Sequence, residues 1–137
     1  MQWLKGLIVA CFLAQASAAS AQDFACRAPS QPMLRAEMYF GRNVGNRIVV
    51  TEAKWARFVA RELVPRFPDG LTVLDARGWW RDPAGRAVAN EPGKVVIVFA
   101  ADDAATRERV DAVAAAYKTQ FRQQSVGIVT RPACAAF

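Results

Sequence analysis

The stretch Lys94-Val95-Val96-Ile97-Val98-Phe99 decides the fold. Its residues after Lys94 are all apolar and most are β-branched, which predicts a β-strand. A strand that is apolar on both faces is typical of the middle of a sheet covered on both sides. We therefore expect residues 94–99 to form the central strand, with the neighbouring segments packed on either side of it.

A hairpin is predicted just before this strand. Residues 71–81 alternate imperfectly between apolar and polar, which predicts a strand with a bulge at Gly78. Residues 82–85, Asp82-Pro83-Ala84-Gly85, have the chemistry of a type I turn. Residues 86–90 are therefore expected to pair back on that strand, and Glu91-Pro92-Gly93 is expected to interrupt the pairing.

Two amphipathic helices are predicted, one on each side of the hairpin in the sequence. The first begins at the N-cap Thr51 and ends before Pro65, and the second begins at Asp102 or Asp103. Their apolar residues recur at helical spacing and predict the buried faces. These residues are Trp55, Phe58, Val59 and Leu63 in the first helix, and Val110, Val113, Ala114, Tyr117 and Phe121 in the second.

The outer strands complete the pattern. Residues 34–40 alternate with the period of a half-buried strand, and residues 126–130 predict a last strand that Pro132 follows. The order β-α-β-β-α-β predicts an α+β fold, a two-layer ferredoxin-like sandwich with an antiparallel sheet and two helices on one face. We expect this single domain to span residues 33–137, after an N-terminal lead-in over residues 22–32.

Residues 1–21 have the three-part pattern of a cleavable secretory signal peptide. Lys5 gives the positive charge, residues 6–14 are apolar, and Ala19-Ser20-Ala21 supplies small residues for cleavage after Ala21. The alternative is a membrane anchor, but spanning a bilayer needs roughly 20 apolar residues. The protein is therefore expected to be exported to the periplasm or the medium, with no transmembrane segment in the mature chain.

Two cysteines, Cys26 and Cys134, would remain after cleavage, because Cys11 lies in the signal peptide. In the ferredoxin-like plan the first and last strands are antiparallel neighbours, so the start of one lies beside the end of the other. A Cys26–Cys134 disulfide is therefore predicted, in keeping with export. The alternative is two free thiols.

Several classes of function are excluded or disfavoured. The chain contains no histidine, which excludes a Ser-His-Asp or Cys-His triad. It has neither a P-loop nor a glycine-rich dinucleotide motif after a strand, and two distant cysteines do not make a metal site. We expect no metal and no cofactor. The net charge of +6 is scattered, which favours a solvated surface over nucleic-acid binding in an exported protein.

Trp79-Trp80-Arg81 is the most unusual local feature. Adjacent strand residues face opposite sides, so one tryptophan is expected in the core and the other on the opposite face near Arg81. An aromatic ring beside a guanidinium is a common platform for sugars, aromatic groups or proteins. The alternative places both tryptophans in the core.

Carboxylates are the groups left for acid–base chemistry, and two can share that work if their environments separate their pKa values. Asp69 also has a structural explanation in the Pro68-Asp69-Gly70 turn, under which Phe67 is expected to pack. Asp75 is explained as well by an ion pair with Arg77 or Arg35. The carboxylates considered are Glu37, Asp69, Asp75 and Glu91.

The motif Pro-Arg-Phe-Pro-Asp-Gly-Leu-Thr-Val over residues 65–73 is long and specific. Together with residues 39–41 and 75–80 it resembles the bacterial domain-of-unknown-function family 3574. Further matching positions are Trp55, Phe58, Glu91, Tyr117, Phe121 and Ser125-Val126. The resemblance covers nearly all of the mature chain, and it implies an exported α/β domain.

Two functions follow as expectations. The first is a non-catalytic binding or assembly module of the cell envelope, forming a homodimer through the open sheet face because residues 94–99 are apolar on both faces. The alternative is a hydrolase-like enzyme that uses carboxylates and arginines on a small or glycan-like substrate. The candidate ligand-binding residues are Tyr39, Arg66, Asp69, Asp75, Trp80, Arg81 and Glu91.

Overall fold

The computed structural model describes residues 25–81 and 88–137. The predicted signal peptide and the predicted turn at residues 82–85 lie outside these ranges. The strands are β1 (Gln31–Gly41), β2 (Asn43–Val44), β3 (Arg47–Ile48), β4 (Thr72–Arg81), β5 (Val88–Ala100) and β6 (Gly127–Ala135). The helices are α1 (Glu52–Phe58), which continues as a π-helical turn (Val59–Leu63), and α2 (Ala104–Phe121).

The main sheet has the strand order β4-β5-β1-β6, and every pair of neighbours is antiparallel. The two helices cover one face, so the predicted two-layer α+β sandwich is confirmed. β5 lies inside the sheet, as its apolar sequence predicts. β1 lies beside it. From Met33 to Gly41 the residues of β1 alternate strictly between half-buried and buried. Met38 pairs with Val96 of β5 on one side and with Ile128 of β6 on the other.

Side-chain caps begin both helices at the predicted residues. The Thr51 hydroxyl accepts a hydrogen bond from the Lys54 N–H at 3.3 Å, and Asp103 Oδ1 accepts one from the Thr106 N–H at 2.7 Å. These contacts satisfy backbone donors that a helix leaves unpaired in its first turn. The predicted buried stripe of α2 is confirmed, since all five of its residues are buried.

An aromatic cluster fills the space between the helices and the sheet. Phe40 of β1 packs edge-on against Tyr117 with ring centroids 4.7 Å apart, and Tyr117 packs against Phe121 at 4.8 Å. Trp55 and Phe58 of α1 complete the cluster. The Tyr117 hydroxyl donates a hydrogen bond to the Gly41 carbonyl oxygen at 2.8 Å, and burial raises the pKa of Tyr117.

β5 differs from its prediction because it runs unbroken through Glu91-Pro92-Gly93. The Pro92 carbonyl accepts a hydrogen bond from the Arg42 N–H, so it points away from β4. The backbone nitrogen of a strand residue points to the same side as its carbonyl, so the N–H that Pro92 lacks would also have pointed away from β4. No ladder bond to β4 is lost there, and the strand continues. The predicted bulge at Gly78 is wrong too, because Gly78 pairs with Glu91 in unbroken register.

β6 also extends beyond its prediction, through Pro132 to Ala135. A proline is tolerated here because β6 is an edge strand, and the donor that Pro132 lacks is not needed by a further neighbour. The predicted loop after β1 contains the short β2–β3 hairpin, which turns at Gly45 with a φ of 57°.

Neither tryptophan of the Trp79-Trp80 pair enters the core, so the expectation of one or two buried tryptophans is wrong. Trp79 is 64% exposed and Trp80 is 47% exposed. The reason is the length of the hairpin: β1 pairs with β5 only as far as Gly93, and the β4–β5 ribbon continues beyond that point. The tryptophans lie on this projecting ribbon, one on each face.

Cys26 and Cys134 form the predicted disulfide, with their Cα atoms 5.5 Å apart. The antiparallel pairing of β1 with β6 explains it, because Pro32 near the start of β1 lies opposite Cys134 near the end of β6. No helix within the described ranges is long and apolar enough to cross a membrane. The disulfide is compatible with an extracytoplasmic protein.

Replacing both Cys26 and Cys134 with serine should lower the free energy of unfolding by about 4–5 kcal/mol in the chain-entropy model. The bond closes a loop with a sequence separation of 108, so its loss frees most of the unfolded chain. Urea unfolding of the oxidised protein and the double variant measures the difference. A variant with the parent's midpoint and slope would contradict this.

Phe67 is predicted to be the anchor of the segment after α1, and it is 5% exposed within the core cluster. Its N–H donates to the Leu63 carbonyl, and its own carbonyl accepts from Gly70, whose φ is +130°. Phe67→Ala should cost about 3–5 kcal/mol because it leaves a cavity. Asp69→Asn serves as the control, since asparagine preserves turn chemistry at that exposed position. Thermal melts that do not separate the two variants would contradict the architectural role.

Candidate functional site

Small residues leave a hollow in the open face of the sheet where β1 ends. Gly41 of β1 lies opposite Gly93 of β5, and Gly93 lies opposite Ala76 of β4. The next pair along the ribbon on this face is Gly78 and Glu91. Four neighbouring positions therefore carry at most a methyl group, and the Glu91 side chain lies among them.

This hollow is part of a cleft of about 410 Å³. Its floor is the open sheet face, and its walls are the β2–β3 hairpin at residues 43–46 and the loop at residues 122–125 that joins α2 to β6. Gln123 connects the two walls, because its side-chain amide donates a hydrogen bond to the Asn43 carbonyl oxygen at 2.9 Å. The sheet residues that line the cleft are Tyr39, Gly41, Trp80, Arg81, Glu91 and Gly127.

The Glu91 carboxylate lies at the base of the cleft against the Gly41 backbone. A Cβ atom built on Gly41 would be 2.6 Å from Glu91 Oε1, so a side chain at position 41 would displace the carboxylate. Burial raises the pKa of Glu91, and a hydrogen bond from the Asn43 backbone N–H opposes that shift in part. Within residues 25–81 and 88–137, no lysine or arginine forms an ion pair with this carboxylate.

Trp80 supplies an aromatic surface beside Glu91. Its indole Nε1 is 2.6 Å from the position that a Gly78 Cβ would occupy, so the ring lies over Gly78. Since Gly78 is the cross-strand partner of Glu91, the indole and the carboxylate are neighbours on the open face. The ring is half exposed and is available for stacking.

Tyr39 contributes its ring to the cleft wall, while its hydroxyl is engaged elsewhere. The hydroxyl donates a hydrogen bond to Glu37 Oε2 at 2.6 Å, and Arg35 pairs with Glu37 Oε1 at 2.9 Å. The Tyr39 hydrogen bond is the main reason that the pKa of Glu37 lies below its usual value, and Arg35 and Arg131 add to the effect. The same hydrogen bond raises the pKa of Tyr39.

The structure thus brings four of the seven predicted site residues to one cleft, namely Tyr39, Trp80, Arg81 and Glu91. Arg66 and Asp69 lie elsewhere: Arg66 pairs with Glu62 at 2.6 Å, and Asp69 is in the turn before β4.

Asp75 is placed on the opposite face of the sheet from Glu91. It pairs with Lys94, so the predicted partners Arg77 and Arg35 are wrong. Lys94 is buried under the helices and also pairs with Glu52 at 2.9 Å. The hydrogen bond from Lys94 is the main reason that the pKa of Asp75 is lowered. Asp75 and Glu91 share no cleft, and a mechanism that divides acid and base roles between them has no support.

Sequence reasoning missed the two loops that form the walls. Asn43 is the notable member, because its Oδ1 is buried and has no hydrogen-bond donor among the described residues. Arg122 ends α2 in a left-handed conformation, with a φ of 55°, and lines the same cleft. The sequence signal for the first wall was the Gly45-Asn46 turn, but nothing local connects it to residues 122–125.

Glu91→Gln should raise the thermal midpoint of the protein at neutral pH. The folded-state pKa of Glu91 lies above its ordinary value of 4.5, so the ionised carboxylate lowers stability at pH values above the folded pKa. Below the ordinary value the carboxyl is protonated in both states, and the advantage of glutamine should vanish. Melts between pH 3.5 and pH 8 test this, with the exposed Glu108→Gln as control. A lower midpoint for Glu91→Gln at neutral pH would contradict it.

Solved structures share this architecture. A phage SAM lyase in complex with S-methyl-5'-thioadenosine has a TM-score of 0.60 and 17% sequence identity, with 75% of this chain and 90% of that chain covered. A phage SAM lyase in the apo state has a TM-score of 0.56 and 16% identity, covering 77% and 92%. At this identity the likeness shows the fold alone.

Sequence comparison gives the family. No curated protein matches the chain. The family model described as "Protein of unknown function (DUF3574)" matches residues 35–137, a range that begins within β1 and includes the other strands and both helices. The chain therefore belongs to the DUF3574 family, as its residue motifs indicate.

Proposed function

We propose that the protein is a non-catalytic module that binds a small molecule in the open-face cleft. The observation that carries this proposal is the position of Glu91, a partly buried carboxylate placed beside the half-exposed indole of Trp80. The cleft volume of about 410 Å³ falls in the range of small-molecule sites. A few polar groups among aromatic walls are the usual composition of such sites.

The stability cost at Glu91 supports the same conclusion. A carboxylate with a pKa raised by burial makes folding less favourable at neutral pH, and such groups cluster at functional sites. The glycines around it preserve open space at positions where a larger apolar residue would strengthen the sheet. These features together favour a binding role over a structural one.

Export and assembly belong to this proposal as well. The disulfide supports a location in the cell envelope or the medium. The proposal also includes a homodimer formed through the open face of the sheet. It is supported by the apolar residues Leu74 and Ile97, which adjoin the cleft on that face, and Leu74 is 47% exposed. Phe99 on the same face is half-buried: the Arg35 guanidinium lies 5.6 Å from its ring centroid, and the exposed ring of Phe137 lies 5.8 Å from it.

An enzyme is the second candidate, and the similarity of the fold to two phage SAM lyases is the observation that favours it. Both are named as lyases of SAM, and a single carboxylate such as Glu91 is sufficient for a general base. Incubation with S-adenosylmethionine, followed by chromatography for S-methyl-5'-thioadenosine, tests this directly. Product formed by the parent and not by Glu91→Gln would favour the enzyme over the binding module.

Trp80→Ala should weaken binding of S-methyl-5'-thioadenosine by about tenfold, because the adenine loses its stacking surface. Trp79→Ala is the matched control, since Trp79 is the next residue on the same strand, is more exposed and faces away from the cleft. Isothermal titration calorimetry measures both. Equal affinities for the two variants, or no binding to the parent protein, would count against the proposed site.

A further inference from the structure

We infer that the ligand of this cleft carries an organic cation, seated between the Glu91 carboxylate and the face of Trp80. The inference rests on the proposed function and adds the chemical class of the ligand.

The hydrogen-bonding groups at the base of the cleft are acceptors. The backbone N–H of Asn43 lowers the pKa of Glu91 in part, so Asn43 lies beside the carboxylate. The Asn43 Oδ1 atom is buried, and no donor from the described part of the chain reaches it. The Glu91 carboxylate is the acceptor there that a ligand can reach, because Glu91 is only partly buried, and N–H or polarised C–H groups on the ligand would pair with it.

The charge of Glu91 also favours a cationic ligand. A carboxylate that is partly withdrawn from water is stabilised most by a cation close to it. Among the described residues, Arg81 and Arg122 are the cations that line the cleft; both are exposed, and neither is within ion-pair distance of Glu91. A positive group on the ligand would therefore fill the position next to Glu91, while the two arginines would suit an anionic group on the same molecule.

The aromatic wall selects an organic cation over a metal ion. One carboxylate and one amide oxygen are too few ligands for Ca²⁺, which takes six to eight oxygens. In the described residues no three cysteine, aspartate or glutamate side chains come together as a metal site. An indole face beside a carboxylate is instead the arrangement that binds ammonium and sulfonium groups through cation–π attraction.

The test compares molecules of the same shape that differ in charge. Choline and its neutral isostere 3,3-dimethylbutan-1-ol form one pair, and S-adenosylmethionine and the neutral thioether S-adenosylhomocysteine form the other. Titration calorimetry on the disulfide-bonded protein should show the cationic member of each pair binding roughly tenfold more tightly. Glu91→Gln, which keeps the size of the side chain, should remove that preference, and Trp80→Ala should weaken the cationic members. Trp79→Ala should change neither.

The outcomes separate this inference from the proposed function. Equal binding of the charged and neutral members, still dependent on Trp80, would overturn the cation inference and leave the binding site standing. A preference for the cation that survives in Glu91→Gln would also overturn it, provided that thermal melts show the variant folded. No binding of any of the four molecules, together with no effect of Trp80→Ala on S-methyl-5'-thioadenosine, would overturn both.

Discussion

The packing of Tyr117 against Phe40 is the contact on which both the core and the cleft depend. Tyr117 is fully buried, and its ring lies edge-on to Phe40 at the end of the strand that crosses the middle of the sheet. Its hydroxyl has one acceptor, the Gly41 carbonyl, so α2 is held at a defined height above β1. Gly41 in turn borders the Glu91 carboxylate on the other face. The same residue pair therefore orders the helix layer and sets the floor of the cleft.

The parts of the fold that were predictable are those governed by local rules. Alternation along β1, the side-chain caps at Thr51 and Asp103 and the helical spacing in α2 all depend on residues near each other in sequence. The disulfide was predictable because strand order alone brings its two ends together. The errors arise from neighbouring strands that the sequence does not show. Pro92 fits within β5 because its backbone nitrogen faces no strand that needs a hydrogen-bond donor there. The tryptophans are exposed because the β4–β5 ribbon extends beyond the end of β1.

The candidate site was only half predictable for a related reason. Tyr39, Trp80 and Glu91 are unusual residues for their positions, so chemistry alone drew attention to them. That they meet follows from register, which places Gly41, Gly78 and Gly93 on one face and opens space between larger side chains. Asp75 was equally conspicuous, but it is three positions from Gly78 along the strand, so its side chain is on the opposite face and contacts Lys94 beneath the helices. Side-chain type and sheet register are both needed to define the cleft.

The covalent link between the ends of the sheet has a mechanical consequence. Cys26 lies just before β1 and Cys134 lies within the last strand, so the two points of chain entry and exit are bonded to each other. A pulling force applied to the chain on either side of this bond would travel through the two sulfur atoms and bypass the fold between them. Oxidised, the domain would transmit tension without extending. Once reduced, the same force would pull apart Gln31 and Ala135, which are paired at one end of the antiparallel ladder, and it would break the hydrogen bonds between β1 and β6 one after another from that end.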